Sequence, residues 1–306
     1  MKKTTLGIII AIIIIGLGVY LATRSSSESV KNGTQNPDLT TQTDISGDTT
    51  DDVAPPIDKT KTVIGTSVGG NAITAYHYGE GDTELLFVGG IHGGYEWNTT
   101  LVAYQMMDYL KENPAAVPSN LKVTVIPVLN PDGLEKVVGT TTAKFSASDV
   151  SSNNDIVIAG RFNGNDVDLN RNFDCDWQAN AKWQSKNVSG GTAAFSEPEA
   201  QAIKEYVEAQ TPASVVVWYS AAGGVFASSC HNGVSDETNA LTSLYAKASG
   251  YLAYKSFDFY ATTGDMVNWL AKMKIPAISV LLTNHTDTEW TKNKAGIEAV
   301  IKHYAQ

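Results

Sequence analysis

The sequence predicts an α/β protein, a single domain over residues 61–306 in which helices flank one mixed sheet. Two observations predict it. Short segments rich in Val, Ile and Leu alternate with helical patterns along most of the chain. Before that alternation begins, strand-like segments separated by Gly-rich turns open the region as a hairpin. The 306 residues are 42% hydrophobic and 18% charged, enough for a large core, which excludes a chain disordered or collagen-like throughout. A net charge of −10 leaves no broad basic surface to neutralise phosphates, so no nucleic-acid partner is expected.

The domain is preceded by two segments of different chemistry. Lys2 and Lys3 stand before an uncharged apolar run from Leu6 to Ala22. At about 1.5 Å per residue the run spans about 25 Å, the short end of what crosses a membrane. No A-x-A site follows, so residues 1–22 are expected to be an uncleaved signal anchor, single-pass, with the lysines inside and the domain on the extracytoplasmic side of the cell membrane. Cleavage would make the protein secreted. Residues 23–60, rich in Ser, Thr, Asp and Asn, bury too little to offset ordering entropy and are expected to form a disordered tether. The only cysteines, Cys175 and Cys230, fall in the exported part, where a disulfide can persist.

Along the domain, Thr62 to Val68, Ala72 to Tyr78 and Leu85 to Val88 read as strands between Gly-rich turns. Asn98 to Lys111 reads as a helix, then Val123 to Val128 as an apolar strand ending at Asn130-Pro131-Asp132-Gly133. Glu197 to Gln210 is helical and leads into the strand Ser214 to Trp218. Helices follow near Glu237 to Leu252 and Asp265 to Met273. The strand Ala277 to Leu282 and a closing helix, Lys292 to Tyr304, complete the order.

Three stretches carry residues suited to chemistry. The strand ending at Val88 runs into Gly89-Gly90-Ile91-His92-Gly93-Gly94-Tyr95-Glu96. Strand ends of α/β sheets present ligands, and an imidazole and a carboxylate there can share a metal ion. The same residues also suit a Gly-rich turn with a Glu near the positive end of a helix. Between Arg161 and Phe173, two arginines stand among amides, a combination that holds carboxylates by charge-assisted hydrogen bonds or simply forms a polar surface loop. The third stretch, Tyr260 to Asp265, is a turn that either presents a phenol to a cleft or packs it.

In this order the three stretches resemble the zinc carboxypeptidase family related to carboxypeptidases A and B. The motifs that carry the resemblance are Gly-Gly-Ile-His92 with Glu96, Asn130-Pro131-Asp132-Gly133 and Val167-Asp168-Leu169-Asn170-Arg171-Asn172-Phe173. Phe195-Ser196-Glu197-Pro198-Glu199 and Tyr260 to Gly264 with Trp269 add to them. The resemblance implies a cleft at the carboxyl ends of an eight-stranded mixed sheet, with one zinc ion held by His92, Glu96 and a second His. It further implies that Asp168 orients His92, that Asn170 and Arg171 bind the free C-terminal carboxylate of a peptide substrate, that Arg161 stabilises the oxyanion and that Tyr260 closes over the substrate.

Three departures accompany it. Where the second zinc histidine belongs, just before a Ser at a strand end, the chain reads Val217-Trp218-Tyr219-Ser220. Tyr219 is the ligand expected there, although its reference pKa of ~10, against ~6.5 for His, makes the ligating form harder to present. His231 is a more distant substitute. The proton-accepting glutamate is replaced by Leu281 or Leu282, leaving Asp287 or Glu289 to swing in, with Glu289 as the expected stand-in. Finally, three residues separate His92 from Glu96 where the family has two. Two functions follow: a zinc metallocarboxypeptidase removing C-terminal residues from peptides, or a pseudopeptidase that binds the C-terminal carboxylates of peptides or cell-wall stem peptides.

Overall fold

The computed structural model describes residues 60–306, so the expected anchor and all but the end of the expected tether lie outside the described residues. Eight strands form one sheet: β1 (Lys61–Thr66), β2 (Ala72–Tyr78), β3 (Thr83–Val88), β4 (Leu121–Ile126), β7 (Ser214–Ser220), β8 (Gly224–Ala227), β9 (Leu252–Tyr254) and β10 (Ala277–Leu282). Their spatial order is β1-β2-β4-β3-β7-β10-β8-β9, and a separate two-stranded ribbon joins β5 (Asn180–Trp183) to β6 (Lys186–Ser189). The central strands β4, β3, β7 and β10 are parallel, whereas β1 with β2, β2 with β4, and β8 with β10 pair antiparallel. The sheet is mixed, as the sequence predicts.

Parallel strands covered on both faces must be apolar throughout. The β7 residues Ser214–Ser220 are accordingly all buried. Because successive side chains point to opposite faces, β7 divides its residues between two cores. Val215, Val217 and Tyr219 join one core with Ile203 and Trp269, whereas Val216 and Trp218 join another with Met106, Tyr245 and Ile297. The helices that supply those cores are α4 (Pro198–Gln210) and α6 (Met266–Lys272) on the first face, and α1 (Trp97–Glu112), α5 (Asp236–Ser249) and α7 (Trp290–Tyr304) on the second. Two short helices, α2 (Pro131–Val138) and α3 (Asn154–Ala159), buttress the loop that follows β3.

Register places the chemistry. Leu281 of β10 lies beside Tyr219 of β7, and Leu282 beside Ser220, so the two positions that depart from the family pattern are neighbours at the carboxyl end of the sheet. Cys175 and Cys230 are joined in a disulfide, with Cα atoms 6.1 Å apart. This crosslink ties the loop after Arg171 to the loop before α5.

Candidate active site

After β3 the chain makes a tight bend in which glycine is required. At Gly93 φ is +46°, and a Cβ would come within 2.6 Å of the Gly160 carbonyl oxygen and 2.8 Å of Gly133. The bend buries His92 and Glu96 together, with His92 Nδ1 3.0 Å from a Glu96 oxygen. His92 Nε2 lies 3.4 Å from Asp168 Oδ1. The extra residue in this pair is absorbed by a turn of 3-10 helix over Gly93–Glu96, and the two groups still meet.

Asp168 is the hub of the second group. Its carboxylate accepts from Arg161 Nε at 2.9 Å and from the backbone N–H of Asn170 at 3.1 Å. Burial alone would raise its pKa, but the Arg161 and Arg171 charges and the nearby imidazole outweigh that and hold it well below the usual carboxylate range. Arg161 is buried too, 3.8 Å from Glu96 and stacked 4.5 Å above the Trp183 ring. Burial disfavours its charge, yet the Asp168 and Glu96 carboxylates more than compensate and raise its pKa.

Arg171 is held differently. Its Nε donates to the Lys182 carbonyl at 2.8 Å and its Nη1 to the Asn170 carbonyl at 2.5 Å, while Tyr260 lies 5.9 Å from its guanidinium carbon. Only 1% of Arg171 is exposed, and it makes no ion pair among the described residues. The loop that carries Tyr260 is locked to it by the backbone. Phe173 donates to the Gly264 carbonyl at 3.0 Å, and a Cβ on Gly264 would lie 2.3 Å from the Arg171 oxygen. Burial raises the Tyr260 pKa, so the ring presents a neutral phenol.

The side chain of Asn170 is already committed. Its Nδ2 donates to Asp265 Oδ2 at 2.8 Å, and its Oδ1 accepts from the Met266 N–H at 3.0 Å and from the Tyr219 hydroxyl at 3.2 Å. Both ends of the amide expected to help hold a carboxylate are thus already hydrogen-bonded within the protein. Tyr219 is engaged in the same bonds. Burial, with Asp265 and Glu96 nearby, raises its pKa well above the ordinary value, and the hydroxyl donates to Asn170. Its ring centre stands 5.6 Å from that of His92.

These residues line a cavity of about 390 Å³ at the sheet's carboxyl end, together with Trp183, Leu281 and His285. Glu289 does not reach it. Its carboxylate accepts from Thr283, Tyr251 and Lys292 at the start of α7; these partners outweigh burial and lower its pKa to about 2. The sequence-based assignment of Glu289 as proton acceptor is thus corrected. His231 is an exposed loop residue paired with Asp176 at 3.0 Å. His285, by contrast, carries no motif of its own in the string Asn284-His285-Thr286-Asp287; the one signal for it is its place three residues beyond the end of β10.

The donor set can be tested against a zinc ion. Both His92 nitrogens and Glu96 Oε2 are buried without a well-aligned hydrogen bond, the carboxylates of Glu96 and Asp168 lying 3.0 and 3.4 Å from the two nitrogens, as suits a pair that could share one metal. A catalytic zinc takes three protein ligands. Among the described residues no third His, Cys, Asp or Glu joins the pair, and Tyr219 is spent on Asn170, so the residues present do not fit a complete zinc site.

Several solved structures share this fold. Murein-tripeptide amidase from Escherichia coli O157 matches with a TM-score of 0.53 at 19% identity, covering 82% of this chain and 92% of its own. Bovine thrombin-activatable fibrinolysis inhibitor, solved with a tick carboxypeptidase inhibitor, matches at 0.61 and 16% identity, covering 80% and 88%. Carboxypeptidase A from Helicoverpa armigera matches at 0.58 and 18% identity, covering 80% and 67%. The family model for zinc carboxypeptidases aligns with residues 54–297, most of the chain, and the protein belongs to that family.

Proposed function

We propose that the protein binds peptides by their free C-terminal carboxylate and that hydrolysis is not its main activity. The observation that carries this reading is Arg171. A cation almost wholly removed from water, oriented by two carbonyls and facing Asp168 and Asp265 only at a distance beyond a contact ion pair, gains from a ligand that brings a carboxylate into direct contact. Its Nη2 makes no hydrogen bond among the described residues, and the guanidinium fork suits a carboxylate. Tyr260 forms the wall beside it, and Arg161 lies farther along the cavity next to Glu96. The hydrolytic set is incomplete, since Leu281 stands where a glutamate would take a proton from water and Tyr219 where a third metal ligand would stand.

Hydrolysis is the second reading, favoured by the converging unpartnered atoms of His92 and Glu96. The ligands are peptides or cell-wall stem peptides outside the cytoplasm, with the protein tethered at the membrane by its N-terminal segment. The apolar run after Lys2 and Lys3 and the Cys175–Cys230 disulfide support that location. The test measures binding of a fluorescent peptide with a free C terminus against its C-terminal amide, with product analysis by mass spectrometry. The expected result is at least about tenfold preference for the acid, lost in Arg171→Ala, with the peptide recovered intact. Equal binding of acid and amide sinks the carboxylate reading, and shortened peptide in stoichiometric excess over protein would establish hydrolysis instead.

A further inference from the structure

Behind the cavity wall, a chain of hydrogen bonds fixes the state of one histidine. Asn98 is fully buried on α1, and its Nδ2 donates to two backbone carbonyls, Asn284 at 2.8 Å and Asp287 at 3.0 Å. Only the nitrogen end of an amide can face two carbonyls, so Oδ1 must face the other way, toward Ser220. The Ser220 hydroxyl donates to that Oδ1 at 3.2 Å. A hydroxyl has one proton, and this one is used. The remaining contact, Ser220 Oγ to His285 Nδ1 at 2.8 Å, then requires the imidazole to be the donor. His285 is therefore the Nδ1–H tautomer, with the lone pair on Nε2.

The ring is held in place from a second side. It packs against Tyr95 with centres 4.7 Å apart, and Tyr95 in turn meets the edge of Trp183 at 5.0 Å. Burial lowers the His285 pKa, which favours the neutral ring. Nε2 has no hydrogen-bond partner among the described residues, and His285 lines the same cavity as Arg171 and Glu96. The result is a fixed neutral acceptor in the cleft that also holds the Arg171 and Arg161 donors.

Resting on the carboxylate reading, we propose that His285 Nε2 accepts a hydrogen bond from a backbone N–H of the bound peptide, upstream of the carboxylate held at Arg171. The site thereby selects a peptide chain over a single amino acid. A peptide supplies N–H donors in an extended row, and a carboxylate anchored at one end offers one of them to the imidazole.

The test uses the full-length protein in detergent with N-acetyl-Ala-Ala-Ala as free acid and with analogues methylated at one amide nitrogen at a time. In the wild type, one methylation should weaken binding about five- to tenfold, as loss of one hydrogen bond does. In His285→Phe, which keeps the ring and loses the acceptor, the same methylation should change binding less than about twofold. Equal losses in the two proteins for every analogue would overturn the proposal. If the unmethylated acid binds no better than its C-terminal amide, the carboxylate reading itself fails and the proposal falls with it, an outcome distinct from equal losses. Nitrogen NMR of histidine-labelled wild type guards against misfolding of the variant. An unprotonated Nε2 that shifts on adding the tripeptide is expected, and a protonated Nε2 in the neutral ring, or no shift on saturation, overturns the assignment.

Discussion

At the scale of the residue, the site turns on what Tyr219 does with its hydroxyl. It stands where an imidazole would complete a set with His92 and Glu96, and it donates instead to Asn170. Tyr219→His is expected to raise zinc affinity by at least about tenfold, since even the partners of ligands govern affinity on the order of 10–100-fold. Equilibrium dialysis with metal quantification of both proteins checks this, and equal affinities would show that residue 219 does not limit metal binding. Much of the site was legible as strings: His92 with Glu96, and Asp168 to Arg171, are close in sequence, and the structure brings His92, Glu96, Asn170 and Arg171 to one cavity with Asp168 behind His92. The committed state of Asn170 was not legible, because its partners Asp265 and Tyr219 come from distant segments. His285 was missed for a similar reason, its role resting on Asn98 and Ser220.

At the scale of the element, α7 begins with Glu289 in a left-handed conformation, φ +45°, its carboxylate tying the end of β10 to the helix. With a pKa of about 2 in the fold and an ordinary value of 4.5, this carboxylate stabilises the protein fully above about pH 4.5; the stabilisation fades as pH falls toward 2. Glu289→Gln should therefore melt below the wild type at pH 7, by about 2–4 °C for each kcal/mol lost. The gap should narrow below about pH 4.5, and thermal melts across that range would refute the assignment if it stayed constant. Long buried strands such as β7 and β10 were readable from their apolar runs. The ribbon β5–β6 and the short strands β8 and β9 were not, since three or four residues carry too little periodicity to register. The helix expected from Glu237 to Leu252 stops at Ser249, where Gly250 adopts φ +77° and the chain turns into β9.

At the scale of the whole molecule, one covalent link joins the loop after Arg171 to the loop between β8 and α5. The Cys175–Cys230 bridge closes a loop spanning 55 positions, for which chain-entropy arguments give about 4 kcal/mol. A Cys175→Ser, Cys230→Ser double variant should melt roughly 10 °C lower and bind C-terminal acids more weakly, as calorimetry and binding would show; an unchanged melting temperature would remove the bridge from the stability of the domain. The sheet and its flanking helices followed from alternating patterns, whereas the cavity followed from register, which no single segment declares. That register also sets the order of any redesign. Because Leu281 and Tyr219 sit side by side, a glutamate placed at position 281 would enter a cavity already holding Glu96 and Asp265. A histidine placed at position 219, with a metal ion bound to it, would first supply a positive charge for that carboxylate to face. Building a hydrolytic centre on this scaffold therefore starts on β7 and only then turns to β10.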